Sequence, residues 1–303
     1  MRKHLCDALV AHSANRSMVF LTGDLGFMAL EPLQDAMGPR FINAGVAEQN
    51  MVSVAAGLAR EGLDVWAYSI APFIYARPFE QVRNDVAFHS LPVRLIGNGG
   101  GYGYGVMGPT HHAIEDYGTL LTLPGMSVYA PVFDEDVAAM VTRAAASRGP
   151  AYLRIGRGEP PAGWEIPDYA PWRRLVAGDG PVLVGVGPLA GTYVKALLGL
   201  PQAVRPELWA VAELPVRLPD IPRELLQALQ SGRPLCVAEE HVAQGGMAAQ
   251  MLLALAGAGV GVSRLRHFHA TAHHYERYGS QSWLRRRSGL DPDSVLTSLQ
   301  ELR

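Results

Sequence analysis

Short runs of apolar residues bounded by Gly or Pro alternate along this chain with longer stretches whose apolar positions return at helical spacing. Residues 18–22, 65–69, 93–97, 127–130 and 151–155 are almost continuously apolar, the pattern of strands buried on both faces. Between them, 48–60, 77–89, 114–121 and 134–147 read as amphipathic helices. The last of these follows a Pro and carries acidic residues in its first turn, where the helix dipole favours them. Strands that alternate with helices predict an α/β fold with a parallel sheet covered on both faces.

The stretch 156–180 (GRGEPPAGWEIPDYAPWRRLVAGDG) breaks this rhythm, with Pro, Gly and Trp in no sustained period, as suits a linker packed across a surface. Afterwards the alternation resumes, with strands expected at 182–186, 208–212, 235–238 and 260–265 and helices at 189–198, 223–230, 246–256 and 292–302. The expected organisation is two doubly wound α/β domains, 1–160 and a smaller 181–303, joined by a linker at 161–180.

Composition narrows the function. Of 303 residues, 49% are hydrophobic and 18% charged, which excludes a disordered chain, and a net charge of -2 gives no general attraction to nucleic acid or to an anionic membrane. No apolar run is long enough to span a bilayer, and Cys6 and Cys236 form no CxxC pair, so a cytoplasmic protein without a disulfide framework is expected. Only two lysines occur, Lys3 and Lys195, neither in a Gly-rich site, which argues against Schiff-base or Walker-type chemistry.

Four segments could carry chemistry. Gly45-Val46-Ala47-Glu48-Gln49-Asn50 opens an apolar helix with a carboxylate in its first turn; Glu48 there is either ordinary dipole complementation or a carboxylate held where ionisation is costly. Tyr68, Phe73 and Tyr75 lie with Arg77 around a strand-to-helix crossing, as core residues or as a platform for a flat ring at a position where open α/β sheets bind ligands. The Gly-rich run 97–108 leads into Pro109-Thr110-His111-His112, and a loop that delivers His111 and His112 to a site fits it better than a dinucleotide fingerprint. Arg154-Ile155-Gly156-Arg157-Gly158 ends a strand and could present a guanidinium to a carboxylate or phosphate, or leave it in water. The late histidines, His267, His269, His273 and His274, match no zinc spacing, and no metal site is expected.

Taken in order, LTGDLG (21–26), RFINAGVAEQNM, YSIAPFIYARPFEQVRND, LPVRLIG, GPTHHAIED, RIGRG and VAEEHVAQGG resemble the C-terminal half of thiamine diphosphate enzymes of the transketolase family. That half comprises a pyrimidine-binding domain and the transketolase C-terminal domain. The resemblance implies that Glu48 hydrogen-bonds N1′ of the cofactor's aminopyrimidine and so activates the thiazolium C2. It also implies that Phe73 stacks on the ring with Tyr68 and Tyr75 flanking, and that Asp24 and Leu25 lie beside the cofactor. His111 would handle hydroxyl and carbonyl protons of the sugar with His112 close by, and Arg157 and Arg77 would bind the substrate's phosphate. Met107 stands where sugar-processing members carry the Asp that reads an acceptor hydroxyl, so a changed acceptor range is expected.

The family's diphosphate and Mg²⁺ are held by a separate domain with Gly-Asp-Gly and a following Asn; Gly23-Asp24-Leu25 with Asn50 lacks the second glycine and is not that site. The chain is therefore expected to be the β subunit of an α2β2 split enzyme that transfers a two-carbon ketol unit between sugar phosphates. A partner with the N-terminal, diphosphate-binding half would hold most of the cofactor's Mg²⁺. The competing expectations are a subunit like the β chain of a 2-oxoacid dehydrogenase E1, one like 1-deoxyxylulose-5-phosphate synthase, and a non-catalytic scaffold.

Overall fold

The computed structural model describes residues 1–302 and contains, among them, twelve strands in two sheets. Helix α1 (Arg2–His12) precedes β1 (Met18–Thr22), and α2 (Glu31–Met37) leads to the short β2 (Phe41–Asn43). Next come α3 (Glu48–Arg60), β3 (Asp64–Ile70), α4 (Ala71–Tyr75), a helical turn α5 (Phe79–Gln81) that continues as a π-helix at Val82–Ala87, and β4 (Val93–Asn98). After a Gly-rich loop, α6 (Asp116–Leu120), β5 (Ser127–Tyr129), α7 (Val137–Ala146) and β6 (Ala151–Ile155) complete this part of the chain. The rest comprises β7 (Trp172–Val176), β8 (Val182–Val186), α8 (Pro188–Leu198), β9 (Glu207–Val211), β10 (Glu213–Leu214), α9 (Arg223–Gln230), β11 (Leu235–Glu239), α10 (Met247–Gly257), β12 (Leu265–His269), α11 (Gln281–Arg287) and α12 (Pro292–Gln300).

The first sheet runs β2-β1-β3-β4-β6-β5-β10, parallel except for β10, which pairs antiparallel with β5. The second runs β7-β9-β8-β11-β12, with β7 antiparallel at its edge. Side chains alternate across the first sheet as the pleat requires. Met18, Phe20, Trp66, Tyr68 and Ile96 meet α1, α2 and α7 on one face, while Val19, Leu21, Val65, Ala67 and Leu95 meet α3 and the π-helix on the other. Both cores continue into the second domain, Val184 and Val237 joining one and Leu183 and Ala238 the other. No helix of the described residues is long and apolar enough to cross a membrane.

This topology locates a crevice. From β1 the chain crosses one face through α2 to reach β2, then returns over the opposite face through α3 to β3 on the other side of β1. Connections therefore diverge at the carboxyl ends of β1 and β3, which are in register from Met18↔Asp64 to Thr22↔Tyr68. Open α/β sheets place ligands at such a point.

Three expectations about elements are corrected. The linker at 161–180 contains β7: Trp172, Leu175 and Val176 are buried, and the two arginines that hid the strand's pattern behave differently. Arg173 is buried through an ion pair with Asp136, whereas Arg174 reaches Glu207 near the surface. The last strand is Leu265–His269 and not 260–265; Val260 and Val262 pack against the core from a loop, and the strand itself is a polar edge with three basic side chains. The helix expected over 77–89 starts only at Phe79, leaving Arg77 in a turn beside Pro78.

Candidate active site

Glu48 lies at the point where the connections diverge. As the first residue of α3 it follows the turn Gly45–Ala47, and its side chain reaches back beneath β1 and β3, where it is only 4% exposed. A Cβ on Gly23, just past β1, would stand 3.6 Å from the Glu48 carboxylate, so the chain passes closely here. The carboxylate accepts a long hydrogen bond from Ser69 Oγ of β3 (3.4 Å) and two from Arg77 Nη1, 3.1 Å to each oxygen. The Arg77 guanidinium in turn lies over the Phe73 ring, 3.6 Å from its centroid. With 45% of its side chain exposed, Arg77 is screened by water, and the ion pair contributes at most about 1 kcal/mol.

Across Phe73 stands His111, ring centroids 5.1 Å apart and edge to face. His111 ends a short 3₁₀ turn (Pro109–His111), shares a 2.9 Å hydrogen bond between Nδ1 and Thr110 Oγ1, and lies 6.1 Å from the Tyr104 ring. Burial, and after it the positive charge of Arg77, hold its imidazole below the ordinary histidine range. Met107 closes the preceding 3₁₀ turn (Gly105–Met107), 56% exposed. The loop needs its glycines: Gly101 has φ +64°, and a Cβ there would stand 2.7 Å from Glu240 Cγ of the second domain.

A cavity of about 330 Å³ opens next to this loop, lined by Arg2, Asn98, Tyr104, Val106, Arg157 and Gln281 among others. Arg157, from the segment after β6, lines it. Arg2 carries no signal in the sequence because an arginine at the start of a chain has no motif around it; only the packing of α1 against the sheet through Leu5, Cys6 and Leu9 brings it here. Tyr104 joins the cavity to His111, and its hydroxyl accepts a 2.6 Å hydrogen bond from Asn98.

Of the other expected site residues, Tyr68, Tyr75 and His112 are enclosed in the packing, while Asp24 and Leu25 follow Gly23 beside the Glu48 carboxylate. Tyr68 and Tyr75 do not flank Phe73 as stacking surfaces: Tyr68 is enclosed in one core near Phe20 and Arg2, Tyr75 in the other against Glu115, and burial raises both phenols. His112 is turned away from His111, 2% exposed, with its ring edge-on to Tyr102 and parallel to His273. Asp24, with φ +56°, is exposed and accepts a 2.8 Å hydrogen bond from Asn43, while Leu25 packs onto the core and its carbonyl accepts a hydrogen bond from Thr22.

The EEH of VAEEHVAQGG joins the two domains. Glu239 accepts hydrogen bonds from the Tyr117 hydroxyl and from the first amides of α10 (Met247 N, 2.6 Å), and pairs with His267 (2.8 Å). Glu240 accepts from Tyr102 N (2.7 Å) and from Arg285. His241 Nε2 accepts from Gly118 N (3.1 Å) while its ring stacks on Tyr117. His273 likewise pairs with Glu115 (2.9 Å), so His267 and His273 serve contacts between elements. Among the described residues no group of three or more His, Cys, Asp or Glu is placed to hold a metal ion.

Residues 6–162 match the family described as the transketolase pyrimidine binding domain. The chain is 33% identical over 170 residues to one of the subunits of an apulose-4-phosphate transketolase of Phocaeicola vulgatus, covering 55% of this chain and 54% of that one. It is also 33% identical over 274 residues to a 1-deoxy-D-xylulose-5-phosphate synthase of Geobacter sulfurreducens, covering 87% of this chain and 42% of that one. The chain thus spans about half the length of these curated relatives. A solved structure titled a split gene transketolase, inactive beta4 tetramer, superposes with a TM-score of 0.83 over 99% of this chain and 97% of that one, at 28% identity. The family match runs from α1 past Arg157 and so takes in Glu48, Phe73, Arg77 and His111; the chain belongs to the transketolase pyrimidine-binding family.

Proposed function

We propose that this chain is the β subunit of a split transketolase-like enzyme of the cytoplasm, which transfers a two-carbon ketol unit between sugar phosphates or related carbonyl compounds using thiamine diphosphate. The observation that carries this reading is Glu48, a nearly enclosed carboxylate at the diverging ends of β1 and β3 whose present partner is a planar cation seated on the Phe73 ring. That pairing tests the fit: a flat ring with a nitrogen at its edge can meet the same aromatic face and the same carboxylate. The pyrimidine half of the cofactor suits these residues. Its diphosphate and Mg²⁺ are assigned to a partner bearing the N-terminal half, in an α2β2 assembly.

Bound here, thiamine diphosphate supplies the electron sink for breaking a carbon–carbon bond next to a carbonyl. Glu48 exchanges a proton with ring nitrogen N1′, and Phe73 holds the plane of the ring. His111, whose imidazole is held below the ordinary histidine range by burial, takes or returns a proton at a substrate hydroxyl. Arg157 and Arg2 hold the substrate's phosphate in the 330 Å³ cavity. Met107 offers an acceptor hydroxyl no hydrogen bond, so acceptors that a carboxylate would favour gain nothing here. Phe27 and Met28 in the loop after β1 and Val46, two residues before Glu48, are exposed at 72%, 94% and 74%, and such apolar side chains suit the face of a partner chain. The domain limits that go with this reading are 1–160 for the pyrimidine-binding domain and a second domain beginning at β7.

The test is a ketol-transfer assay with the complex reconstituted from this chain and its diphosphate-binding partner, supplied with a ketose phosphate donor and an aldehyde acceptor. Glu48→Gln keeps the fold and loses roughly a hundred- to ten-thousandfold in turnover, the range for removing a general acid–base group. Near-normal turnover by the folded variant contradicts the assignment.

A further inference from the structure

Arg77 makes two contacts that define a seat. Its guanidinium plane lies 3.6 Å from the Phe73 centroid, and Nη1 lies 3.1 Å from each oxygen of the Glu48 carboxylate. A guanidinium and an aminopyrimidine share the chemistry that both contacts read: each is flat, and each can set an N–H against the carboxylate, the pyrimidine at a protonated N1′. We infer that Arg77 is the resident occupant of the ring seat formed by Phe73 and Glu48, and that the cofactor's aminopyrimidine enters by exchange with it. The inference rests on the reading of Glu48 and Phe73 as pyrimidine-binding residues and adds how that seat is kept and vacated.

The surroundings of Arg77 suit an occupant that leaves. Two arginines of the core show the contrast, each enclosed and held by several acceptors: Arg154, 5% exposed, bonds Asp116 and the carbonyls of Ala113 and Glu240, and Arg173, 4% exposed, bonds Asp136 and the carbonyl of Pro167. Arg77 is 45% exposed, donates its hydrogen bonds to Glu48, and projects from the turn between α4 and α5 with water on its other side. Glu48 has no such freedom. At 4% exposure it needs a cation or a donor over it, because a buried carboxylate without one is costly. Exchange satisfies both conditions: one donor plane replaces another, and the departing guanidinium returns to solvent at the mouth of the crevice. Both planes cannot be present together, since each takes the same ring face and the same oxygens.

The experiment titrates the full chain with 4-amino-5-hydroxymethyl-2-methylpyrimidine, the pyrimidine half of thiamine, and follows binding by calorimetry. A ligand whose seat is already filled most of the time binds in proportion to the vacant fraction, so Arg77→Ala binds the probe roughly three- to tenfold more tightly than wild type, and Arg77→Lys, which keeps the charge without the plane, is intermediate. In wild type itself, the Arg77 Nε–H signal moves from its ring-shifted position toward that of a free arginine as the probe is added. Equal or weaker binding by Arg77→Ala, or an Arg77 signal that stays put at saturation, overturns the exchange. Glu48→Gln and Phe73→Ala in the Arg77→Ala background separate this from the underlying reading: both weaken binding if the seat is correctly placed, whatever Arg77 does. Binding unaffected by either, or binding by none of these proteins, contradicts the seat and the exchange together.

Discussion

At the residue scale the crevice is governed by charge and by depth. Glu48 is deep and Arg77 shallow, so the same ion pair fixes the carboxylate and leaves the guanidinium free to move. His111 feels both influences. Burial disfavours its protonated form, and the Arg77 charge disfavours it further. Because the folded value lies below the ordinary one, the unfolded chain takes up this proton first as the pH falls. The group therefore costs the fold stability once the pH drops below about 6.5, and adds nothing above it. Removing the charge at position 77 leaves the burial in place and relieves only the second cause, so Arg77→Ala raises the His111 midpoint part of the way toward the ordinary value. Following the imidazole Cε1–H resonance of the full chain across pH measures it. A midpoint that stays put or falls contradicts the placement of Arg77 beside His111.

At the scale of elements, the Gly-rich loop between β4 and α6 is held from both sides. Below it, Arg154 of β6 pairs with Asp116 of α6 at 2.7 Å, both side chains enclosed, and the same arginine reaches the carbonyls of Ala113 and Glu240. From the second domain, the Glu240 carboxylate accepts from Tyr102 N. Removing one partner of a buried ion pair strands the other, so Arg154→Leu destabilises the chain by about 3–5 kcal/mol, as read from urea unfolding. A loss below about 1 kcal/mol would mean that Asp116 finds water or another donor. The loop also shows where sequence reading stops. The strands 18–22, 151–155 and 182–186 and the helix 48–60 are found at those positions because their patterns are local. His112 and His111 look alike in sequence, yet a single turn sends one under the loop and the other to the crevice. Strand β7 is masked by Arg173, whose partner Asp136 is distant in sequence, and the polar edge β12 has no apolar alternation to find.

At the scale of the whole molecule, seven strands and their helices position Glu48, and Glu240, just past β11 of the second sheet, holds the Gly-rich loop that leads to His111. Glu48 was legible as a candidate because the helix it opens is apolar nearly all round, and His111 because a histidine on a Gly-rich loop is a poor core residue. The position of Arg2 at the cavity, and the burial of Tyr68 and Tyr75, depend on packing between distant segments and were not. The central claim is that this chain supplies the pyrimidine half of a thiamine diphosphate site and depends on a second chain for the rest. Calorimetry of thiamine diphosphate with Mg²⁺ tests it most directly, first on this chain alone and then on its mixture with the diphosphate-binding partner. Weak binding by the chain alone, and tight Mg²⁺-dependent binding by the mixture, is the predicted result; tight Mg²⁺-dependent binding by this chain alone contradicts it.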